Sequence, residues 1–197
     1  LGESDVTDVS TGLCPTGTAP LVRIANGGWR VAGRLAGGSG SAPFLALEVE
    51  DLSGGLVATG LPSGLSLDLS VAEAEVVDAT RPIRFNPVNA RGEAHMRSER
   101  WTGDFTLSRA STVVATLDLA HDGSTGIGGV DIATGELVFA QGGIQPSDLT
   151  PMGADVLGEP VTGTARFDGR IAWTEEDDLA AQPSNLAGRD SDPALRH

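Results

Sequence analysis

Three histidines are the first residues to consider for catalysis or metal binding: His95, His121 and His197. None has a second His or a Cys at the spacing of a metal-ligand pair, so the sequence predicts no metal site. His121 is followed by Asp122, an order that would suit a general base and the carboxylate that orients it. Asp122-Gly123 is also an ordinary turn sequence at the end of a strand, and we therefore expect His121 to be structural.

Other candidate sites are weaker still. Glu175–Asp178 is acidic but lacks the spaced Asp, Asn and Gly residues of calcium-binding loops. Gly126–Gly129 is rich in glycine but opens no helix, which makes it a poor phosphate cradle. No serine lies in a nucleophile elbow, and the single cysteine, Cys14, has no partner for a disulfide. The sequence predicts a protein that is not an enzyme and that uses no cofactor. A hydrolase with a carboxylate pair is the less favoured alternative.

Composition and charge narrow the class of protein. The 197 residues include 27 glycines and 11 prolines, which favours many turns and short strands. Aromatic residues are only 4% of the chain, so the core must consist mainly of Leu, Val and Ala. The net charge of −14, with arginine as every one of the 13 basic residues, argues against a nucleic-acid partner and against electrostatic docking on anionic lipid. The sequence contains no signal peptide and no run of 18 apolar residues.

Alternating polarity is the strongest structural signal. In Leu65–Val71, leucine and valine occupy every second position, and serine and aspartate fill the positions between them. This is the pattern of a strand with one apolar face, and it recurs in Phe44–Leu52, Trp101–Leu107 and Val113–Leu119. The phase slips at Ala72-Glu73, which predicts a β-bulge, with a short helix at this point as the competing interpretation. The spacing of the strands predicts a meandering antiparallel sheet.

Turn sequences predict how some strands connect. Asn26-Gly27 predicts a hairpin between Leu21–Ile24 and Trp29–Leu35. Gly37–Ala42 is expected to be a flexible connection. A last strand pair, Val161–Phe167 and Arg170–Trp173, is expected to turn back on itself through the Asp-Gly between its members.

One short helix is predicted near residues 150–157. Thr150 suits the N-cap, Pro151 the first helical position and Gly158 the position past the end. Residues 1–19 are predicted to form a flexible N-terminal segment, residues 20–174 the β-sheet, and residues 175–197 an acidic disordered tail. The predicted fold class is therefore all-β: an extended, curved, mostly antiparallel sheet with one short helix.

The stretch from Val113 to Trp173 resembles the YdbH family, which comprises AsmA-like and TamB-like envelope proteins that also carry an older "dicarboxylate transport" domain name. The similarity covers about residues 100–174 and is looser over 62–99. The residues that carry it are His121, Gly126, Gly128, Phe139, Gly142-Gly143-Ile144-Gln145-Pro146-Ser147-Asp148-Leu149-Thr150-Pro151, Val161-Thr162-Gly163 and Phe167-Asp168-Gly169-Arg170-Ile171-Ala172-Trp173. The double glycine, the Gln-Pro and the second proline are its more specific part.

This resemblance implies a β-groove that conducts phospholipid across the periplasm between the inner and outer membranes. The implied partners are phospholipid acyl chains, the remaining repeats of a longer protein and an outer-membrane partner, and this chain would be a fragment without its membrane anchor. The expected lining of the groove is Leu65, Leu67, Leu69, Phe105, Leu107, Val113, Ala115, Leu117, Leu119, Val130, Ile132, Leu137 and Phe139.

A structural or adhesive β-sandwich, such as a surface or virion protein, is the alternative. Alternation does not separate the two hypotheses, because each strand of a sandwich also buries one face. A sandwich is closed and dry, whereas a groove leaves a long apolar strip without a protein cover. The deciding observation is whether the apolar faces of Leu65–Val71 and Val113–Leu119 are covered by protein.

Overall fold

The computed structural model describes residues 6–156 and 160–174, most of which lie in β-strands. The strands are β1 Thr7–Cys14, β2 Val22–Ala25, β3 Gly28–Ala42, β4 Leu47–Leu61, β5 Gly64–Asp78, β6 Val88–Arg97, β7 Arg100–Arg109, β8 Thr112–Asp122, β9 Ile127–Ala133, β10 Leu137–Phe139, β11 Gly163–Ala165 and β12 Asp168–Trp173. A 3-10 helix spans Pro43–Leu45, and two short helices are α1 Pro146–Leu149 and α2 Pro151–Val156. The predicted fold class, an open and mostly antiparallel sheet with little helix, is confirmed.

Ten strands form one antiparallel sheet in the order β1-β3-β4-β5-β6-β7-β8-β9-β12, with β2 beside β1 along β3. From β3 to β9 each strand pairs with the next in sequence, as the meander predicts. The expected hairpin of the last two strands is wrong, because β11 pairs with β10 and β12 pairs with β9. Thr134 explains the difference: its Oγ1 accepts from the Phe167 N–H at 2.8 Å, and its own N–H donates to the Phe167 carbonyl at 2.9 Å.

Two local features of the sheet follow their sequence signals. Asn26 and Gly27 have φ angles of 53° and 74°, the left-handed values that a two-residue hairpin turn requires, and β2 and β3 flank them. The register between β5 and β6 shifts between Val71 and Ala74, so the phase slip is a β-bulge and the competing helix does not form.

The N-terminal segment differs from its prediction. Residues 1–19 were expected to be flexible, but Thr7–Cys14 forms β1 and pairs with β3. Gly37–Ala42, expected to be a flexible connection, is part of β3. The β1–β3 register shifts twice and six of the eight β1 residues are exposed. Backbone pairing therefore forms this strand without an apolar alternation that the sequence could display. The predicted tail of residues 175–197 lies outside the described residues.

The predicted helix begins where the Thr-Pro signal placed it. The Thr150 hydroxyl lies 3.4 Å from the Met152 amide nitrogen, the position of an N-cap acceptor for α2. Its predicted end lies outside the described residues. A second helix, α1, was not predicted, although Pro146 occupies its first turn and Gln145 and Asp148 form a reciprocal capping box.

A small buried core lies at one end of the sheet. Val88, Val114 and Leu137 are each no more than 7% exposed and contact one another. The partly buried residues packed around them are Val76, Phe85, Leu107, Phe139, Ile144 and Leu149. The loop before β6 is bound to α1 through Asn86. Its backbone N–H donates to the Leu149 carbonyl and its side-chain Nδ2 donates to the Ser147 carbonyl, at 2.8 Å each. We call this cluster the covered end.

The sheet is strongly curved. Five strands lie between β4 and β12 in the sheet order, so the two are six steps apart. In a flat sheet, with about 4.8 Å between neighbouring strands, they would be about 29 Å apart. Yet the ring of Phe44, which precedes β4, lies 5.4 Å from the ring of Trp173 on β12, measured between centroids. The sheet therefore bends until the 3-10 helix before β4 and a side chain of β12 meet across the face on which Trp173 lies.

Candidate functional site

One face of the sheet is apolar across all the central strands, and we call it the inner face. The pairing places Leu69, Ala94, Gly103, Leu119, Val130 and Ile171 in a single cross-strand row. The next row joins Val71, Gly92, Phe105, Leu117 and Ile132. Trp173 belongs to the same face, so the curvature makes this face concave.

On the inner face Val71, Ala94, Met96 and Trp173 are buried, but many of the larger apolar side chains are only half-buried. Away from the covered end, Leu67, Leu69, Leu117, Leu119, Val130 and Ile132 are half-buried, and we call these six residues the open stretch. Among the described residues only eleven apolar side chains are classed as buried, four of them alanines, and none of the larger ones is less than 2% exposed. A packed protein core would bury side chains of this size almost completely. The inner face is therefore lined by apolar groups without being filled by the described part of the chain.

The predicted lining residues divide into three groups. Ten lie on the inner face: Leu65, Leu67, Leu69, Phe105, Leu107, Ala115, Leu117, Leu119, Val130 and Ile132. Leu137 and Phe139 lie on β10, outside the large sheet, and pack at the covered end. Val113 lies opposite Ser108 at a register shift, a β-bulge, and is 53% exposed. Val114 is buried on the inner face in its stead.

Aromatic rings on the inner face lie over glycines of the neighbouring strands. A Cβ on Gly128 would be 2.5 Å from the Trp173 ring, and one on Gly92 would be 2.7 Å from the Phe105 ring. Glycine is therefore required for these rings to lie flat against the sheet. Sequence reasoning missed these pairs, and their only signal is a glycine within a strand pattern whose aromatic partner depends on the register.

His121 belongs to an aromatic cluster on the inner face. The Trp173 indole Nε1–H donates to His121 Nδ1 at 3.3 Å, and the two ring centroids are 5.9 Å apart. Phe44 contacts the same indole, which is 7% exposed. The imidazole thus accepts a hydrogen bond within an apolar surface, and this arrangement supports the structural role expected for His121.

The other face, the outer face, carries the charges. Asp68 accepts from Arg97 Nη2 at 2.5 Å and lies 2.8 Å from His95 Nδ1, and these hydrogen bonds, that of Arg97 foremost, lower the pKa of the Asp68 carboxyl. Asp104, Asp118 and Asp131 are cross-strand neighbours. Within residues 6–156 and 160–174, no cluster of three or more His, Cys, Asp or Glu side chains is arranged to hold a metal ion.

No helix in the described ranges is long and apolar enough to cross a membrane. No protein-family model, curated protein or solved structure matches this chain.

Proposed function

We propose that this chain is a segment of a YdbH-like envelope protein that conducts phospholipid across the periplasm, between the inner and outer membranes. Acyl chains would lie along the open stretch of the inner face. The observation that carries this proposal is the apolar, concave side of an open sheet. Half-buried Leu, Val and Ile side chains line it on β5, β8 and β9, and Ala94 and Phe105 lie between them on β6 and β7.

The energetics of such a track suit transfer without tight binding. Moving an acyl chain through water costs about 0.8 kcal/mol for each exposed CH₂. A track of Leu, Val and Ile side chains is about as apolar as the bilayer interior, so lipid would enter it with little change in free energy. The track itself then needs no catalytic or energy-coupling group.

The inner face continues to the free edge at β2. The register joins Ile24, Trp29, Gly60 and Leu65 in one row, and Val22 lies in the next. Ile24 is 83% exposed, Val22 54%, Leu65 45% and Trp29 41%. We call these four side chains the apolar rim, and we propose that it continues the track toward a membrane, an outer-membrane partner or the remaining repeats of a longer protein.

The alternative, a structural or adhesive β-sandwich, has less support. A sandwich stacks two sheets face to face at a distance of about 10 Å. The described residues form one ten-stranded sheet and a separate pair of three-residue strands, β10 and β11. That pair packs at the covered end and leaves the open stretch without a second layer of strands.

Site-specific photocrosslinking tests the proposal. A photoreactive amino acid placed at Leu119 or Ile132 should crosslink phospholipid in cells, whereas the same group at Thr116 or Asp131 on the outer face should not. Leu117→Asp should reduce crosslinking from both inner positions, because it places a carboxylate in the path of the acyl chain. Equal crosslinking from the two faces, or none from the inner face, would contradict the proposal.

A further inference from the structure

The outer face of the first strands carries two arginines that face each other. Arg23 on β2 and Arg30 on β3 are register partners in an antiparallel pair. Their neighbours Ile24 and Trp29 are partners on the inner face, so alternation directs both guanidinium groups to the outer face. Like charges directly opposite each other on a sheet destabilise it.

Five of the other nine arginines in the described ranges have an acidic partner. Arg84, Arg97, Arg100, Arg166 and Arg170 each form an ion pair with an aspartate. Within the described ranges, Arg23 and Arg30 have no such partner, although the chain has 27 acidic residues and a net charge of −14. Because Arg23 and Arg30 face each other without an acidic partner, an anion from outside the chain would offset their repulsion.

The surface around this pair is concave. Arg23 and Arg30 line an open cleft of about 560 Å³, with Thr16 and Pro20 of the β1–β2 connection also in its lining. Ala32, Gly33, Gly55 and Val57 of β3 and β4 leave room between the lining side chains. This volume lies in the usual range for a small-molecule site.

Of the two acids that line the cleft, Asp68 is paired with an arginine and Glu93 is not. Asp68 is paired with both Arg97 and His95, and Glu93 lies 3.7 Å from His95 Nε2. Arg23 and Arg30 line the same cleft and form no ion pair among the described residues. One carboxylate is satisfied by a single guanidinium fork, whereas a phosphoryl group has enough oxygens to accept from two forks at once.

We propose that the cleft between Arg23 and Arg30 binds a phosphoryl group, with each guanidinium donating to separate oxygens and Thr16 lying within the same cleft. The ligand is a phosphate monoester or diester. It comes either from a soluble metabolite or from a lipid headgroup, since the exposed rim residues Ile24 and Trp29 lie on the opposite side of the same two strands. The site does not depend on the acyl track of the inner face.

Binding to the 197-residue chain tests the site. Isothermal titration calorimetry at low ionic strength would use glycerol 3-phosphate, and vesicle flotation would use phosphatidic acid in phosphatidylcholine. Arg23→Gln with Arg30→Gln should weaken binding by roughly tenfold or more, because two charge-assisted contacts are lost. The matched control, Arg91→Gln with Arg166→Gln, removes the same charge from outside the cleft and should leave binding unchanged.

The two arms identify the source of the phosphoryl group. Arginine-dependent binding of glycerol 3-phosphate assigns a soluble ligand, and arginine-dependent flotation alone assigns a lipid headgroup. Equal losses in the Arg23/Arg30 variant and in the control would reduce the effect to net charge and overturn the proposal, as would no binding of either probe. Arg23→Lys with Arg30→Lys keeps the charge and should bind with intermediate affinity. Since none of these substitutions touches the inner face, lipid crosslinking at Leu119 should not change.

Discussion

The covered end and the open stretch of the inner face have the same residue types and different surroundings. Val114 and Leu117 lie three residues apart on β8, yet Val114 is 6% exposed and packs with Val88 and Leu137, whereas Leu117 is half-buried. The difference comes from β10, α1 and the loop before β6, which pack over one end of the face only. Alternation thus indicates which face is apolar, and other parts of the chain decide where that face is covered.

The largest expected effect is the contrast between Val114→Asp and Leu117→Asp. Val114→Asp buries an unpaired carboxylate and should lower the free energy of unfolding by about 4 kcal/mol or more, a large part of the stability of a domain. Leu117→Asp should cost about 1 kcal/mol or less, because its carboxylate reaches water within an open face. Urea denaturation followed by circular dichroism measures both values.

A matched pair separates charge from size. Val114→Ala and Leu117→Ala remove apolar volume without adding a charge. Each should lower the free energy of unfolding by less than Val114→Asp does. If Leu117→Asp unfolds the protein as Val114→Asp does, the open stretch is a closed core. The sandwich would then be the better hypothesis, provided that the parent protein also gives no lipid crosslink.

The second prediction concerns the base of the covered end, where Asp78 holds the loop that leads to β6. Its side chain has no exposed surface and accepts hydrogen bonds from Arg84, whose Nη2 lies 2.7 Å away, and from the Thr80 hydroxyl at 2.7 Å. Asp78→Ala removes these acceptors and should destabilise the fold by on the order of 3 kcal/mol. The open stretch should keep its exposure, which cysteine labelling at position 119 would report.

The same carboxylate predicts acid sensitivity. The hydrogen bonds from Arg84 hold the pKa of Asp78 well below its ordinary value, in spite of burial. A depressed pKa means that the ionised form favours the folded state. Its contribution is complete above the ordinary pKa of 3.8 and is lost as the pH falls below that value. The thermal midpoint of the parent protein should therefore fall more steeply below pH 4 than that of Asp78→Ala.

Much of the sheet could be predicted from sequence, and the rest depends on register. The alternation in Leu65–Val71 and the Asn26-Gly27 turn are local signals, and both predicted their structures. β1 has no such signal, because its partner β3 supplies the pairing. The exchange of partners between β11 and β12 depends on Thr134, which is 33 residues from Phe167 in sequence. Val114 lies on the inner face because of a bulge opposite Leu107-Ser108. The spacing of residues in β8 does not indicate this bulge.

A smaller effect is expected where the curved sheet meets itself. The rings of Phe44, in the 3-10 helix before β4, and Trp173, on β12, have centroids 5.4 Å apart. A double-mutant cycle with Phe44→Ala and Trp173→Ala should give a coupling energy of about 0.5–1.5 kcal/mol, the usual value for an aromatic pair. Trp173→Ala alone should cost more, because it also leaves Gly128 and His121 without their ring contact. A coupling energy of zero would mean that the contact does not hold the curvature in solution.

The smallest expected effect is on the outer face, directly behind the open stretch. A hydrogen bond shared with the Asp104 carboxyl raises the pKa of Asp118, and desolvation and the charges of Asp104 and Asp131 add to this shift. A raised pKa means that the folded state binds this proton more tightly, so the three-aspartate row disfavours the fold once the pH rises above that pKa. Asp104→Asn should return the pKa of Asp118 toward its ordinary value, as carboxyl carbon NMR titration would measure. It should also raise the thermal midpoint slightly at pH 7 and leave it unchanged near pH 3, where the Asp118 carboxyl is protonated. Thr102→Asn, on the same strand and face, is the control and should leave the Asp118 titration as it is.

Lipid crosslinking at Leu119 should stay constant over the same pH range, because Asp118 and Leu119 point to opposite faces. A pH-dependent loss of crosslinking there would show that the two faces are coupled.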